Sequence, residues 1–188
     1  MFLIMKYDDY FRNYSNSILK LLGSVNANLI DQTVELIQNK IKSNSTIYIA
    51  GNGGSASIAS HVSVDFAKVA KVKSMTFNNS NLITCFANDY GHENWLKEAI
   101  KAYCSNKDLL ILISSSGKSS NIVNAASYCK KKNIDLITLS GFSDDNDLKS
   151  LGKVNFFVDS KEYNFIEMTH HIILLSIVDI FAKFINKV

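Results

Sequence analysis

Proline is absent from the 188 residues, and tryptophan occurs once. The missing proline accompanies an excess of Asn, Lys and Ile; it reads as compositional bias and carries no mechanism. Cysteine is scarce. Cys85, Cys104 and Cys129 are odd in number and show no CxxC spacing. That pattern argues against a disulfide framework or a zinc knuckle, and predicts three buried thiols in a reducing compartment. No apolar run is long enough to span a bilayer: Ile172 to Ile177, near the C-terminus, is short and includes Ser176. The apolar start, Met1 to Met5, turns charged after five residues. Neither a signal peptide nor a membrane anchor is read there, and a cytoplasmic protein is expected. Lysines are dispersed and the net charge is only +3, so there is no electrostatic footprint for a nucleic acid.

What is present describes a soluble globular chain: 47% hydrophobic and 20% charged residues. No repeat, linker or low-complexity stretch divides it, so residues 1–188 read as one domain. Tyr7–Leu22, with Tyr10, Tyr14 and Ile18, and Asn28–Ser43, with Leu29, Val34, Ile37 and Ile41, have helical spacing. They predict an N-terminal helical hairpin over 1–44, ahead of an α/β core over 45–188. In that core, strands are expected at Thr46–Ala50, Ser74–Phe77, Asp108–Ile113, Asp135–Leu139 and Val154–Val158. Helices are expected at Ser55–Ala70, Ser80–Asn88, Tyr90–Tyr103, Asn121–Lys132 and Phe165–Lys187. Such alternation implies a parallel sheet with helices on both faces. Ligands of these folds sit at the carboxyl ends of the strands.

Two strands end in unusual turns. Gly51-Asn-Gly-Gly-Ser55 opens a helix; its glycines permit positive φ and close approach of backbone amides. The helix start offers unpaired N–H groups and a positive dipole end to an anion. The bland alternative is a tight turn with Ser55 as N-cap. Ser114-Ser-Ser-Gly-Lys-Ser119 repeats the arrangement after the next clear strand. Four clustered hydroxyls exceed what a cap needs and suit a ligand with several acceptor oxygens, such as phosphate. Neither turn has GxxxxGK[ST] spacing, and Ala56 breaks GxGxxG. A nucleotide cofactor is therefore not expected, and a small phosphoester is.

Ile49-Ala-Gly-Asn-Gly-Gly-Ser-Ala56, Ala87-Asn-Asp-Tyr-Gly91 and Ile113-Ser-Ser-Ser-Gly-Lys-Ser119 resemble, in order and spacing, the sugar isomerase (SIS) domain family. The resemblance is strongest to its phosphoheptose isomerases, which interconvert sedoheptulose 7-phosphate and the aldose heptose 7-phosphate on the way to surface polysaccharides. It implies a flavodoxin-like three-layer sandwich with a five-stranded parallel sheet, assembled as a homotetramer with active sites between subunits. It assigns Ser55, Ser114, Ser115, Ser116 and Ser119, with the Asn52-Gly53 turn, to the phosphate and nearby sugar oxygens. Asn52 and Asp89 would contact the sugar. His61 and Asp65 stand where the family has a histidine and a glutamate base, and share a helix face at i, i+4. Glu167 replaces a glutamine of the C-terminal helix, and Leu175 replaces the family's second, catalytic histidine. His171, or His170, is the candidate to stand in. The resemblance thus implies His61, Asp65, Glu167 and His171 as catalytic residues, which also suit zinc in ligand type and number. The loop Asp159–Phe165 lacks the family's Pro-Ser and Thr-x-Arg elements.

Other features have plainer readings. Trp95 is expected in the core or a subunit interface. Lys130–Lys132 is expected as a solvated helix C-terminus, and Asp144, Asp145 and Asp147 as an exposed loop. The C-terminal helix is apolar on more than one face, from Ile172 to Phe181, more than one domain of this size can bury, so a symmetric oligomer is expected. Leu175 keeps a competing function open: a non-catalytic member of the family that binds a sugar phosphate or the replication initiator protein.

Overall fold

The structure, a computed structural model, describes residues 7–185. Two helices, α1 (Tyr7–Gly23) and α2 (Ala27–Lys42), precede the sheet. Then follow β1 (Ile47–Gly51), α3 (Gly54–Lys68), β2 (Ser74–Thr76), α4 (Ser80–Tyr90) and α5 (Trp95–Tyr103). The second half holds β3 (Leu109–Ile113), α6 (Ser120–Lys131), β4 (Asp135–Gly141), β5 (Val154–Val158) and α7 (Tyr163–Ile180). All strand pairs are parallel, in the order β2-β1-β3-β4-β5. This is the flavodoxin-like order, in which the chain reverses direction across the sheet between β1 and β3.

The strands separate two cores by their period of two. Ile47, Ile49, Leu109, Ile111 and Ile113 face α2, α3 and α7, among Ile37, Val62, Phe66 and Leu174. Ala50, Leu110 and Leu112 face α5 and α6, among Leu96, Ile100, Ile122 and Ala126. Every residue of β3, Leu-Leu-Ile-Leu-Ile, is buried, as a central parallel strand covered on both faces must be.

Several boundaries moved for identifiable reasons. Asp108 stays outside β3 because its carboxylate accepts from the backbone of Thr46 and Ser105. α4 continues to Tyr90 and stops at Gly91, whose φ is +81°. β4 extends through Ser140-Gly141, which pair with Phe157 and Val158. A 3₁₀ turn at Asp147–Ser150 had no sequence signal. α7 starts at Tyr163 and passes into a π-turn at Phe181–Ile185; the last residues assigned to it by sequence lie outside the described residues. α1 buries none of its side chains and packs chiefly on α7, where Tyr14 meets Phe165 edge to face.

Tyr163–Ile185 is apolar and long enough to cross a bilayer by length and composition. It is a core helix: Ile166, Ile173, Leu174, Ile177, Val178 and Phe181 are buried against the sheet and α3. Met168, Ile172 and Phe184 remain exposed. Trp95 is in the core; Asp144 and Asp145 lie in an exposed loop, and Asp147, also exposed, opens the 3₁₀ turn. The expectation of three buried thiols fails at Cys85, which is exposed; Cys104 is half-buried and Cys129 buried. α4 lies on the surface without a single buried residue, so its cysteine is not covered. Burial pushes Cys129 up to about 12.

Candidate active site

Gly51 and Ile113 are register partners at the ends of β1 and β3. The two turns therefore leave the sheet side by side, at its topological switch point. Both lead into helices that carry no side-chain cap. Ser55 lies inside α3, after Gly53 at the N-cap position, and does not cap it. Ser119 stands at the N-cap of α6, yet its hydroxyl accepts from Ser114 Oγ at 3.2 Å and not from an amide. Elsewhere asparagines do the capping: Asn26 for α2 and Asn79 for α4. Leaving the first amides of α3 and α6 free keeps donors and two positive dipole ends directed at one place.

Between these helix starts lies a cavity of about 260 Å³, lined by Asn52, Gly53, Gly54, Ser55, Ile113, Ser114, Ser115, Ser116, Ser119, Tyr163 and Glu167. Ser55, Ser114 and Ser115 are buried, and Ser115 Oγ has no hydrogen-bond partner. A buried hydroxyl left unpaired costs about 1–3 kcal/mol, a strain that a bound acceptor would relieve. Gly53 adopts φ +53° and Gly117 φ +64°. A side chain at Gly117 would collide with Asn146, which is itself anchored by Ser140, Gly141 and Ser143.

Glu167, in the first turns of α7, points its carboxylate into this cavity. It rests so close to Gly54 that any Cβ there would overlap it. Asn52, which lines the cavity, and Asn121 exchange two amide hydrogen bonds, of 2.9 and 3.0 Å. A second cavity of about 310 Å³ shares Asn52 and Gly53 and is lined further by Ser57, Ser60, Asn78, His92 and Trp95.

The histidines separate into two environments. His171 Nε2 lies 2.9 Å from His61 Nδ1, and His61 Nε2 lies 3.2 Å from Asp65 Oδ2. With both rings neutral, His171 donates to His61 and His61 donates to Asp65. Burial, then the neighbouring His61, hold His171 below the usual histidine range, and Asp65 partly offsets them. His170, one residue away, is fully buried and donates Nε2–H to Ser140 O at 3.1 Å. Burial lowers it to about 4. It packs under the end of β4 and takes no part in the site.

Zinc would need His61, Asp65, Glu167 and His171 to converge. Three of them form the hydrogen-bonded chain just described, with both nitrogens of His61 engaged. Glu167 is turned away toward the serines, and Leu175 offers no ligand atom. Among the described residues no group of three or more His, Cys, Asp or Glu side chains is set to hold a metal ion. As arranged, these four side chains do not converge on one point.

The structure thus gathers Asn52, Gly53, Ser55, Ser114, Ser115, Ser116, Ser119 and Glu167 in one cavity, and His61, Asp65 and His171 in a neighbouring chain. Asp89 is not brought in. It sits on the exposed last turn of α4, where Asn88 Nδ2 donates to it at 2.9 Å. Gly54, Tyr163 and Asn121 were missed by sequence reasoning. Gly54 had a signal, the doubled glycine; an asparagine in a helix's first turn has none.

Residues 9–141 match the family model of the SIS domain. Phosphoheptose isomerase 2 of Campylobacter jejuni is 36% identical over 119 residues, a match spanning 59% of this chain and 58% of that protein. The phosphoheptose isomerase of Aneurinibacillus thermoaerophilus is 31% identical over 149 residues, 71% of this chain and 73% of its own. In three dimensions the phosphoheptose isomerase of Neisseria gonorrhoeae superposes with a TM-score of 0.83 at 20% identity, covering 94% of this chain and 98% of its own. This chain belongs to the SIS domain family, among its phosphoheptose isomerases.

Proposed function

We propose that the protein is an aldose–ketose isomerase that converts sedoheptulose 7-phosphate, or a ketose phosphate of similar length, into the aldose phosphate for surface-polysaccharide precursors. The observation that carries this reading is one cavity holding both an anion cradle and a carboxylate. The open amides of α3 and α6, with Ser55, Ser114, Ser115, Ser116 and Ser119, bind the phosphate. Glu167, in the same cavity, is the proposed base. It takes the proton from the carbon beside the carbonyl, and the electron pair moves onto the carbonyl oxygen as an enediolate. Returning the proton to the neighbouring carbon completes the isomerisation. His171 lies one turn beyond Glu167 on α7 and is held by His61 and Asp65; its proposed work is moving protons at the sugar oxygens. No step is routed through zinc, because the four residues do not converge.

The proposed protein is one cytoplasmic SIS domain, assembled as a homotetramer. The exposed Met168 and Ile172 of α7, with Tyr10, Phe11 and Leu19 of α1, support an oligomer, since large apolar patches on soluble chains are usually covered. Solution scattering at micromolar concentration is expected to give a mass above the monomer.

Leu175, where a catalytic histidine was expected, favours the competing reading of binding without turnover. Incubating the pure protein with sedoheptulose 7-phosphate, with and without zinc, and following the aldose product by NMR separates the two. Turnover that is lost in Glu167→Gln supports the isomerase; phosphate binding without product in either condition supports the binder.

A further inference from the structure

We infer that Asn121 is a positioning residue of the phosphate site, acting through Asn52 as a latch between the two turns; this rests on the phosphate cradle proposed above. β1 and β3 hold their last residues, Gly51 and Ile113, in register, but sheet pairing stops there. Beyond it, each turn must set the height and angle of its own helix start. Among the described residues, the side-chain hydrogen bonds joining the first turn to the start of α6 are the two of the Asn52–Asn121 pair. A reciprocal amide pair uses one donor and one acceptor of each partner, so it fixes both distance and orientation.

Asn121 does not line the cavity; Asn52 does. Asn121 is only 1% exposed, in the first turn of α6, and Asn52 is half-buried in the turn between β1 and α3. An anion held by two helix starts is sensitive to their separation, because hydrogen bonds weaken steeply outside a narrow range of distance and angle. The latch therefore sets the spacing of the cradle without touching the ligand. It also qualifies the sugar-contacting role that the resemblance gives Asn52: part of its amide is committed to Asn121 before any ligand arrives.

The test is a double-mutant cycle of Asn52→Ala, Asn121→Ala and the pair, with Asn121→Ser as a gentler variant should the alanine fold poorly. Inorganic phosphate affinity is read by calorimetry, ligand-free melting by scanning calorimetry, and kcat and KM with the sugar phosphate. The latch predicts that Asn121→Ala or Asn121→Ser weakens phosphate binding about tenfold, with KM rising in parallel and kcat changing much less. It also predicts that the double variant is no weaker than the worse single, since one interaction is lost either way. Wild-type phosphate affinity in the Asn121 variants, with only a lower melting temperature, would show a purely structural residue and overturn the latch. Additive losses would overturn it as well. Failure of the wild-type protein itself to bind phosphate would overturn both the cradle and the latch.

Discussion

At the amino ends of the strands, Asp108 accepts hydrogen bonds from Thr46 N, Ser105 N and Ser105 Oγ, and Asp135 pairs with both Lys40 and Lys153. At the carboxyl ends, α3 and α6 begin without side-chain caps, and Ser115 Oγ has no partner. One end spends its polar groups on itself, and the other holds them in reserve. Burial alone would raise Asp135, but Lys153 and Lys40 more than offset it and hold its carboxyl below the usual range. Lys40 also donates to Lys107 O at 2.8 Å. The comparison separates stability from binding: changes at the amino end should alter melting and leave ligand affinity alone, and changes to the cavity serines at the carboxyl end the reverse.

The sharpest break of that contrast is Asp108→Ala. It strands three donors around a nearly buried carboxylate site, at a cost of about 4 kcal/mol in chemical denaturation, while phosphate affinity of the remaining folded protein stays unchanged. A loss of affinity equal to the loss of stability would mean that the two ends are not separable.

Acid tests one structural residue close to the site. His170 is neutral in the fold, with its value lowered from 6.5 to about 4 by burial. The unfolded chain binds the extra proton first, so this contribution is intact above about pH 6.5 and is lost as pH falls toward 4. The loss is about 3 kcal/mol across that window. A His170→Gln variant should give a flatter stability profile there; an unchanged slope would assign the acid sensitivity elsewhere.

On the binding side, Ser55→Ala with Ser116→Ala should cost about 2 kcal/mol or more of phosphate affinity, with ligand-free melting nearly unaltered. Phosphate that still raises the melting temperature of the double variant as in wild type would move the site elsewhere. The smallest effect is expected at Lys153→Ala. That ammonium is mostly exposed, and removing its pair with Asp135 should cost less than about 1 kcal/mol, because Lys40 remains.

Much of this contrast was legible in the sequence, for physical reasons. Gly51–Ser55 and Ser114–Ser119 advertise themselves because glycine and serine clusters between a strand and a helix have few other uses. The apolar strand Leu109–Ile113 fixes the centre of the sheet. What stayed hidden depends on direction. His170 and His171 are adjacent, and only the roll of α7 decides that the first is buried beneath Ser140 while the second meets His61. Glu167 and His171 share a helix face, yet the carboxylate rests against Gly54 in the serine cavity while His171 meets His61. Asn121 looks like any polar residue of a first turn until Asn52 is seen opposite. Asp89 lies outside this cavity, on the exposed last turn of α4, a placement that its motif does not reveal.

A crystal structure with bound phosphate decides whether the carboxyl-end cradle is the phosphate site. The anion is expected between the starts of α3 and α6, within hydrogen-bond distance of Ser55, Ser115 and the turn amides, with Asn52 still paired to Asn121. Phosphate found instead among Lys97, Lys101, Lys131 and Lys132, in the depression between α5 and α6, with the serine cavity empty, would contradict it.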